Sequence, residues 1–120
     1  MTEVILATVL DDSGRVTYAI HATGHATGSP EVCAAVSALL FALGGWVQNA
    51  EPEEVRARTV SLEPGRADLC FLGDSPEART AFDLTALGLA QIAQQYPAFL
   101  RVEHAAGELL PEMAETGMGL

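Results

Sequence analysis

A histidine and a cysteine, His25 and Cys33, stand eight positions apart in the first third of the chain. These residue types are the two needed for thiol-based acyl transfer, in which a thiolate attacks a carbonyl and an imidazole moves the proton. The same spacing also fits a histidine on a surface turn and a cysteine buried in a helix, because cysteine is among the most buried residue types. The secondary structure around His25 and Cys33 must therefore decide between these two interpretations.

The residues around this pair predict a strand, a turn and the start of a helix. Residues 15–23 alternate with a period of two, which is typical of a half-buried strand. Gly24 and Gly28 bracket a turn. Ser29 suits a helix N-cap, and Pro30 suits the first helical position because its missing N–H costs nothing there. The histidine is thus expected just past a strand end, and the cysteine near a helix start.

A helix start is a favourable place for a thiol nucleophile. In the first helical turn, the helix dipole and unpaired backbone N–H groups stabilise a thiolate. Glu31, two residues before Cys33, brings a negative charge that opposes this stabilisation. Whether the net effect favours the thiolate of Cys33 stays open. Backbone N–H groups at the helix start, that of Cys33 included, are candidate donors for an oxyanion. Glu31 and His21 are the candidates for orienting His25, although His21 also fits an ordinary strand residue.

The stretch GHATGSPEVCAAVSALL, which begins at Gly24, resembles the ribosomal-processing cysteine protease family Prp, also described as YsxB-like. The matching parts are Gly-His-Ala, a short glycine-containing loop, and Val-Cys-Ala-Ala-Val-Ser-Ala-Leu at the helix start. The resemblance implies a catalytic dyad of His25 and Cys33. Supporting or substrate-binding residues would be Gly24, Glu31 and Ser37. The last of these follows the cysteine by four residues and so shares its helix face.

The resemblance further implies a substrate and a setting. The protein would be a cytoplasmic, homodimeric endopeptidase that removes the N-terminal extension of the large-subunit ribosomal protein L twenty-seven. Two departures from the family pattern are a shorter loop between His and Cys and Pro30 in place of an acidic residue. They leave open a non-catalytic ribosome-associated module of the same fold. A different small thiol hydrolase or transferase also stays open.

No cofactor or metal is expected. His21 and His25 have a spacing of four, which could hold a metal on a helix, but their segment is predicted as strand and turn. The other cysteine, Cys70, alternates with apolar neighbours in a predicted strand and is expected to be a small buried hydrophobe. A disulfide between Cys33 and Cys70 is not expected.

Composition and charge argue against some function classes. The 120 residues suit one domain, and the 49% hydrophobic content supports a packed core. A formal net charge of −10 argues against nucleic-acid binding and is compatible with a basic substrate, such as the N-terminal region of a ribosomal protein. No apolar run is expected to span a membrane. The N-terminus begins directly as a strand, so no secretion signal is expected.

The remaining patterns predict an α+β protein of the order ββαββαβ, a small layered sandwich. The expected strands are 2–10, 15–23, 55–62, 67–72 and 98–104, with helices at 30–49 and 76 to about 96 and hairpin turns at 11–14 and 63–66. Gly44 and Gly45 inside the first helix predict a close contact or a break. The domain would cover 1–105, and 106–120 would be a tail that is disordered or packs on a partner.

Overall fold

The structure of the chain is a computed structural model, which describes residues 1–10, 15–24 and 28–106. The elements follow the predicted order ββαββαβ and confirm the α+β class. They are β1 Thr2–Leu10, β2 Val16–Thr23, α1 Pro30–Asn49, β3 Ala57–Glu63, β4 Arg66–Leu72, α2 Pro76–Gln95 and β5 Leu100–Ala106. Each bound lies within two residues of the predicted one. The predicted turn at 11–14 and residues 107–120 of the predicted tail lie outside the described residues.

The five strands form one sheet in the order β3-β4-β2-β1-β5. Strands β1 and β5 are parallel neighbours, and the other neighbours are antiparallel. Helix α1 therefore joins the parallel strands β2 and β3, and α2 joins the parallel strands β4 and β5. Two interleaved crossovers of this kind form a split βαβ arrangement, here with β1 added between β2 and β5.

Both helices pack on the same side of the sheet, which we call the helix-covered face. Strand alternation sends every second side chain to this side. Its largest buried strand residues are Val4, Leu6, Ile20, Leu69, Phe71 and Leu100. They meet buried positions of α1 and α2, which are Val32, Val36, Leu40, Leu43, Val47, Ala78, Phe82, Ala86 and Leu89. This cluster is the main hydrophobic core.

The other side of the sheet, which we call the opposite face, carries smaller and more polar side chains. Its buried residues are Ala7, Thr17, Ala19, His21, Asp68 and Cys70. No helix within the described residues covers this face. The two faces of one sheet therefore present different chemistry.

Helix α1 lies close to β3 at its two glycines. A Cβ at Gly44 would be 3.2 Å from side-chain carbons of both Val60 and Leu62, so this approach favours glycine. A Cβ at Gly45 would meet no atom within 4 Å. The helix continues through both residues. The glycine pair therefore marks a close contact and not a break.

By length and composition, α1 could also cross a membrane, since it has 20 residues and a mean hydropathy of 1.6. This differs from the sequence-based expectation, because Ser37 and the two glycines do not interrupt the helix. One such helix is weak evidence, because the core helix of a soluble protein passes the same test. In this fold the buried side of α1 packs on the sheet, so we assign the helix to the core.

Candidate active site

The N-terminus of α1 places Cys33 in the first helical turn. Ser29 is the N-cap, as predicted: its Oγ accepts a hydrogen bond from the Val32 N–H at 3.4 Å. The Ser29 carbonyl accepts one from the Cys33 N–H at 3.2 Å. The neighbouring Val32 side chain is buried in the core, whereas Cys33 lies at the edge of the helix and is partly exposed. The local sequence thus anchors the helix start and leaves the thiol accessible.

A cavity of about 90 Å³ lies beside this thiol, between α1 and the ends of the strands. Its helix wall contains Cys33, Val36, Ser37 and Leu40. The strand ends contribute Thr2, Ala22, Thr23 and Gly24, and the β3–β4 hairpin contributes Glu63, Gly65, Arg66 and Ala67. A carbonyl group that enters this cavity comes within reach of a helix-start thiol. The arrangement is therefore suited to nucleophilic attack by sulfur.

Gly24 joins two walls of the cavity. Its N–H donates to the Gly65 carbonyl at 2.9 Å, which connects the end of β2 to the β3–β4 turn. Its φ is +88°, and a Cβ at this position would lie 2.5 Å from the Met1 carbonyl oxygen. Both observations require glycine here. The glycine of the Gly-His-Ala motif therefore has a structural role at the rim of the cavity.

The residues predicted for the site fall into three groups. The cavity brings together Gly24, Cys33 and Ser37. Glu31 is exposed and does not line this cavity; its carboxylate accepts a hydrogen bond from the N-cap Ser29 Oγ at 3.3 Å. The predicted base, His25, lies outside the described residues.

The backbone at the helix start is more fully hydrogen-bonded than the sequence suggested. The Cys33 N–H is engaged by the Ser29 carbonyl, and the Val32 N–H by the Ser29 Oγ. An oxyanion donor must be free to point at the reacting oxygen. Among the candidate donors at the helix start, the Cys33 N–H is therefore already used by the first intrahelical hydrogen bond.

His21 lies on the opposite face, away from the cavity. Its Nδ1 and the Asp68 Oδ1 form a buried hydrogen bond across β2 and β4. The Asp68 Oδ2 accepts a second hydrogen bond from the Arg66 Nε at 3.0 Å. The sheet separates His21 from Cys33, whose cavity includes the adjacent Ala22 on the helix-covered face. His21 is therefore a partner of Asp68 and does not line the Cys33 cavity. Its suggested role in orienting His25 stays a prediction, because His25 lies outside the described residues.

The two cysteines occupy different environments. Both are free thiols, but Cys70 is only 6% exposed and Cys33 is partly exposed. Burial raises the pKa of the Cys70 thiol to about 11. A thiol must ionise to act as a nucleophile, so Cys70 is poorly suited to this role at neutral pH.

Sequence reasoning missed the part of the β3–β4 hairpin that forms the far wall of the cavity. The turn itself was predictable from Pro64 and Gly65, and Gly65 has a φ of +76°. Its place beside α1 was not, because it depends on β4 pairing with β2 across a long stretch of chain. This wall adds two exposed charged residues, Glu63 and Arg66, to the site.

Comparisons with known proteins agree with this geometry. The sequence model described as cysteine protease Prp matches residues 1–101. A search of curated proteins found no match. Among solved structures, the chain is similar to the essential ribosomal processing protease Prp of S. aureus in complex with a covalently linked product peptide. The identity is 20%, the TM-score is 0.65, and 88% of this chain and 100% of that chain are covered.

Two further structures have the same fold. One is the S. aureus protease in complex with a substrate peptide, at 20% identity and a TM-score of 0.63, covering 88% of this chain and 100% of that one. The other is SMU.848 from Streptococcus mutans, at 21% identity and a TM-score of 0.63, covering 88% and 95%. The family match extends over most of the chain and includes the helix-start cysteine. This chain therefore belongs to the cysteine protease Prp family and is a cysteine protease.

Proposed function

We propose that this protein is a cytoplasmic, homodimeric endopeptidase that removes the N-terminal extension of the large-subunit ribosomal protein L twenty-seven, using a dyad of His25 and Cys33. The observation that carries the proposal is the partly exposed thiol of Cys33 in the first turn of α1, beside an open cavity. Further support comes from the S. aureus relative, a ribosomal processing protease that has been crystallised with a substrate peptide.

The proposed reaction has two acyl-transfer steps. His25 takes the thiol proton, and the Cys33 sulfur adds to the scissile carbonyl to give a tetrahedral intermediate. His25 then protonates the leaving amine as the C–N bond breaks and the thioester forms, and it later activates the water that hydrolyses the thioester. In the chain, His25 directly follows Gly24, which lines the same cavity as Cys33. This adjacency supports histidine as the base.

The charge of the protein supports a basic peptide as substrate. The formal net charge is −10, and exposed carboxylates are present at Glu31, near the thiol, and at Glu63, on the cavity wall. The cavity wall itself also has the basic Arg66, so the support comes from the net negative charge of the whole protein, which attracts cationic peptides and raises their rate of association. The N-terminal extension of a ribosomal protein with a basic N-terminal region fits this field.

A peptide that spans the N-terminal extension tests the proposal directly. Mass spectrometry should show a single internal cleavage by the native protein. Cys33→Ala and His25→Ala should each lower the rate at least about a thousandfold, because each removes a group needed for bond cleavage. Cys70→Ala is the matched control and should retain cleavage, since that thiol is buried outside the cavity.

Two results would contradict parts of the proposal. Cleavage that survives in Cys33→Ala would show that another group is the nucleophile. No cleavage of the ribosomal extension, together with cleavage of unrelated peptides that depends on Cys33, would show that the substrate is wrong. The proposed homodimer is tested by sedimentation equilibrium, and the proposed cytoplasmic location by cell fractionation.

A further inference from the structure

A second cavity continues the Cys33 cavity along α1. Its volume is about 50 Å³, and we call it the distal pocket; its lining residues are Ser37, Leu40, Phe41, Leu62, Glu63 and Ala67. Ser37, Leu40, Glu63 and Ala67 also line the first cavity, so the two cavities form one groove between α1 and the β3–β4 hairpin. Gly44, three residues beyond Phe41, does not line the distal pocket, and a Cβ there would be 3.2 Å from a side-chain carbon of Leu62.

The distal pocket is apolar on its helix side. Phe41 is 61% exposed and is the one large apolar side chain among the exposed residues of α1, all of which the structure describes. It lines the distal pocket together with Leu40 of the same helix and Leu62 of β3. An aromatic side chain exposed to this degree adds little to the core, and its surface is available to a partner.

We propose that the distal pocket is a specificity subsite that binds an apolar side chain of the peptide substrate, two to four residues from the scissile bond. The inference rests on the proposed function, because the same peptide must present its carbonyl to Cys33. Ser37 and Phe41 follow Cys33 by four and eight residues, which places the pocket about 6 to 12 Å along the helix. An extended peptide covers this distance in about two to four residues.

Glu63 refines the expected substrate. It lies on the wall shared by the two cavities and is exposed. Arg66 lines the Cys33 cavity but not the distal pocket, whose one charged lining residue in the described part of the chain is Glu63. The Glu63 carboxylate therefore repels an acidic side chain at the distal pocket, whereas an apolar side chain can contact Phe41 and Leu40. The occupant is therefore an apolar residue within a neutral or basic segment of the peptide, which is consistent with the acidic surface of the protein.

Binding to an inactive protein tests the subsite separately from catalysis. Fluorescence anisotropy would measure the affinity of the labelled extension peptide for Cys33→Ala, and for the same protein with Phe41→Ala added. Peptides with alanine at each apolar position within four residues of the cleavage site complete a double-mutant cycle. Leu84→Ala is the matched control, because Leu84 is 63% exposed on α2 and lines neither cavity.

Phe41→Ala should weaken binding of the parent peptide about tenfold, because a partly buried aromatic contact is lost. One alanine peptide should bind weakly to both proteins, with no further loss on Phe41→Ala. In the active protein, Phe41→Ala should raise KM and leave kcat nearly unchanged. Circular dichroism should show that each variant is folded.

Four results would overturn the subsite. In the first two, Phe41→Ala lowers the affinity for every peptide equally, or leaves the affinity unchanged. In the other two, Leu84→Ala lowers the affinity as much as Phe41→Ala does, or the parent peptide does not bind at all. If Phe41→Ala instead changes the oligomeric state without changing peptide affinity, this surface is a contact between copies of the chain, and the subsite is wrong.

Cleavage is the separate measurement for the proposed function. If the protein cleaves the peptide and Phe41→Ala has no effect, the proposed function holds and the subsite is wrong. If the protein binds the peptide through Phe41 but does not cleave it, the pocket is a peptide-binding site, and both the proposed function and the pocket's role as a protease subsite are wrong.

Discussion

Each side of the sheet has a cysteine, but the two thiols differ in what they can do. On the helix-covered face, Cys33 is partly exposed at a helix start and lies beside a cavity. On the opposite face, Cys70, His21 and Asp68 are all buried, and the histidine and aspartate are hydrogen-bonded to each other. A cysteine, a histidine and an acid are therefore not sufficient for a thiol site. Exposure of the sulfur and its position at a helix terminus make the difference.

Thiol alkylation would test this comparison with the largest expected effect. With a pKa of about 11, only about one in a thousand Cys70 thiols is ionised at pH 8, and the group is also buried. Iodoacetamide should therefore label the folded protein at Cys33 alone, while both cysteines should react in urea. Peptide mapping by mass spectrometry gives the site. If folded Cys33→Ala is labelled at Cys70 within the same time, the two thiols do not differ in reactivity as proposed.

Removal of Asp68 would test whether the opposite face is structural. Asp68→Ala leaves His21 without its buried partner and removes the acceptor of the Arg66 Nε. We expect the free energy of unfolding to fall by about 3 kcal/mol, as is typical when one partner of a buried polar pair is lost. Urea unfolding measures this change. The control is Asp83→Ala, which removes an exposed pair with Arg79 and should cost less than about 0.5 kcal/mol.

The same variant also tests for a hidden catalytic role. If the opposite face only supports the fold, folded Asp68→Ala should keep the pH profile of peptide cleavage at low temperature. A shifted pH profile in a folded variant would show that His21 and Asp68 influence the thiol site through the sheet, and that the opposite face is not purely structural.

Alkaline pH should destabilise the protein through the opposite face. The raised pKa of Cys70 means that the unfolded chain loses this proton first, so the free energy of unfolding falls as pH rises above about 9. The loss should reach about 1.5 to 2 kcal/mol at pH 10. Burial, and secondarily Asp83, also raises the pKa of Tyr18, which acts in the same direction.

Unfolding curves at pH 8 and 10 would isolate the contribution of the buried thiol. Both measurements are made in the Cys33→Ala background, with and without Cys70→Ala. The variant that lacks both thiols should lose less stability between these pH values, because its remaining dependence comes from Tyr18 and other groups. An identical loss in the two proteins would contradict the assigned role of Cys70.

The smallest effect concerns the helix-covered face. Gly45→Ala should raise the free energy of unfolding by about 0.5 to 1 kcal/mol, because no atom lies near the added methyl and alanine favours a helix. Gly44→Ala should be about 1 kcal/mol less stable than Gly45→Ala, since its methyl meets Val60 and Leu62. Thermal unfolding of both variants measures the difference. Equal stabilisation would show that α1 and β3 are not in close contact.

Much of the local structure was predictable because it depends on neighbouring residues. Strand alternation, the Ser29 N-cap and Pro30 identified the start of α1. The same logic placed Cys33 in the first turn of α1. It did not identify the oxyanion donors, and the structure shows that one candidate, the Cys33 N–H, donates to the N-cap carbonyl as in a regular helix.

The pairing of distant segments was not predictable in this way. The neighbours of β2 are β1 and β4, and this order brings the β3–β4 hairpin beside α1. The same register puts His21 opposite Asp68, across 47 positions of sequence. Strand patterns indicate which side chains share a face, but they do not tell which strand lies next to which.

The sequence by itself determined the order of the elements, the family resemblance and the position of Cys33 at a helix start, because these depend on short-range patterns and on residue type. The tertiary structure alone decided which polar residues meet. It placed Gly24, Ser37 and the β3–β4 hairpin around the thiol, and it continued that cavity toward Phe41. It also placed His21 on the opposite face, beside Asp68. The physical reason is that a site is formed where distant segments pack together, and burial in that packing sets the chemistry of each group.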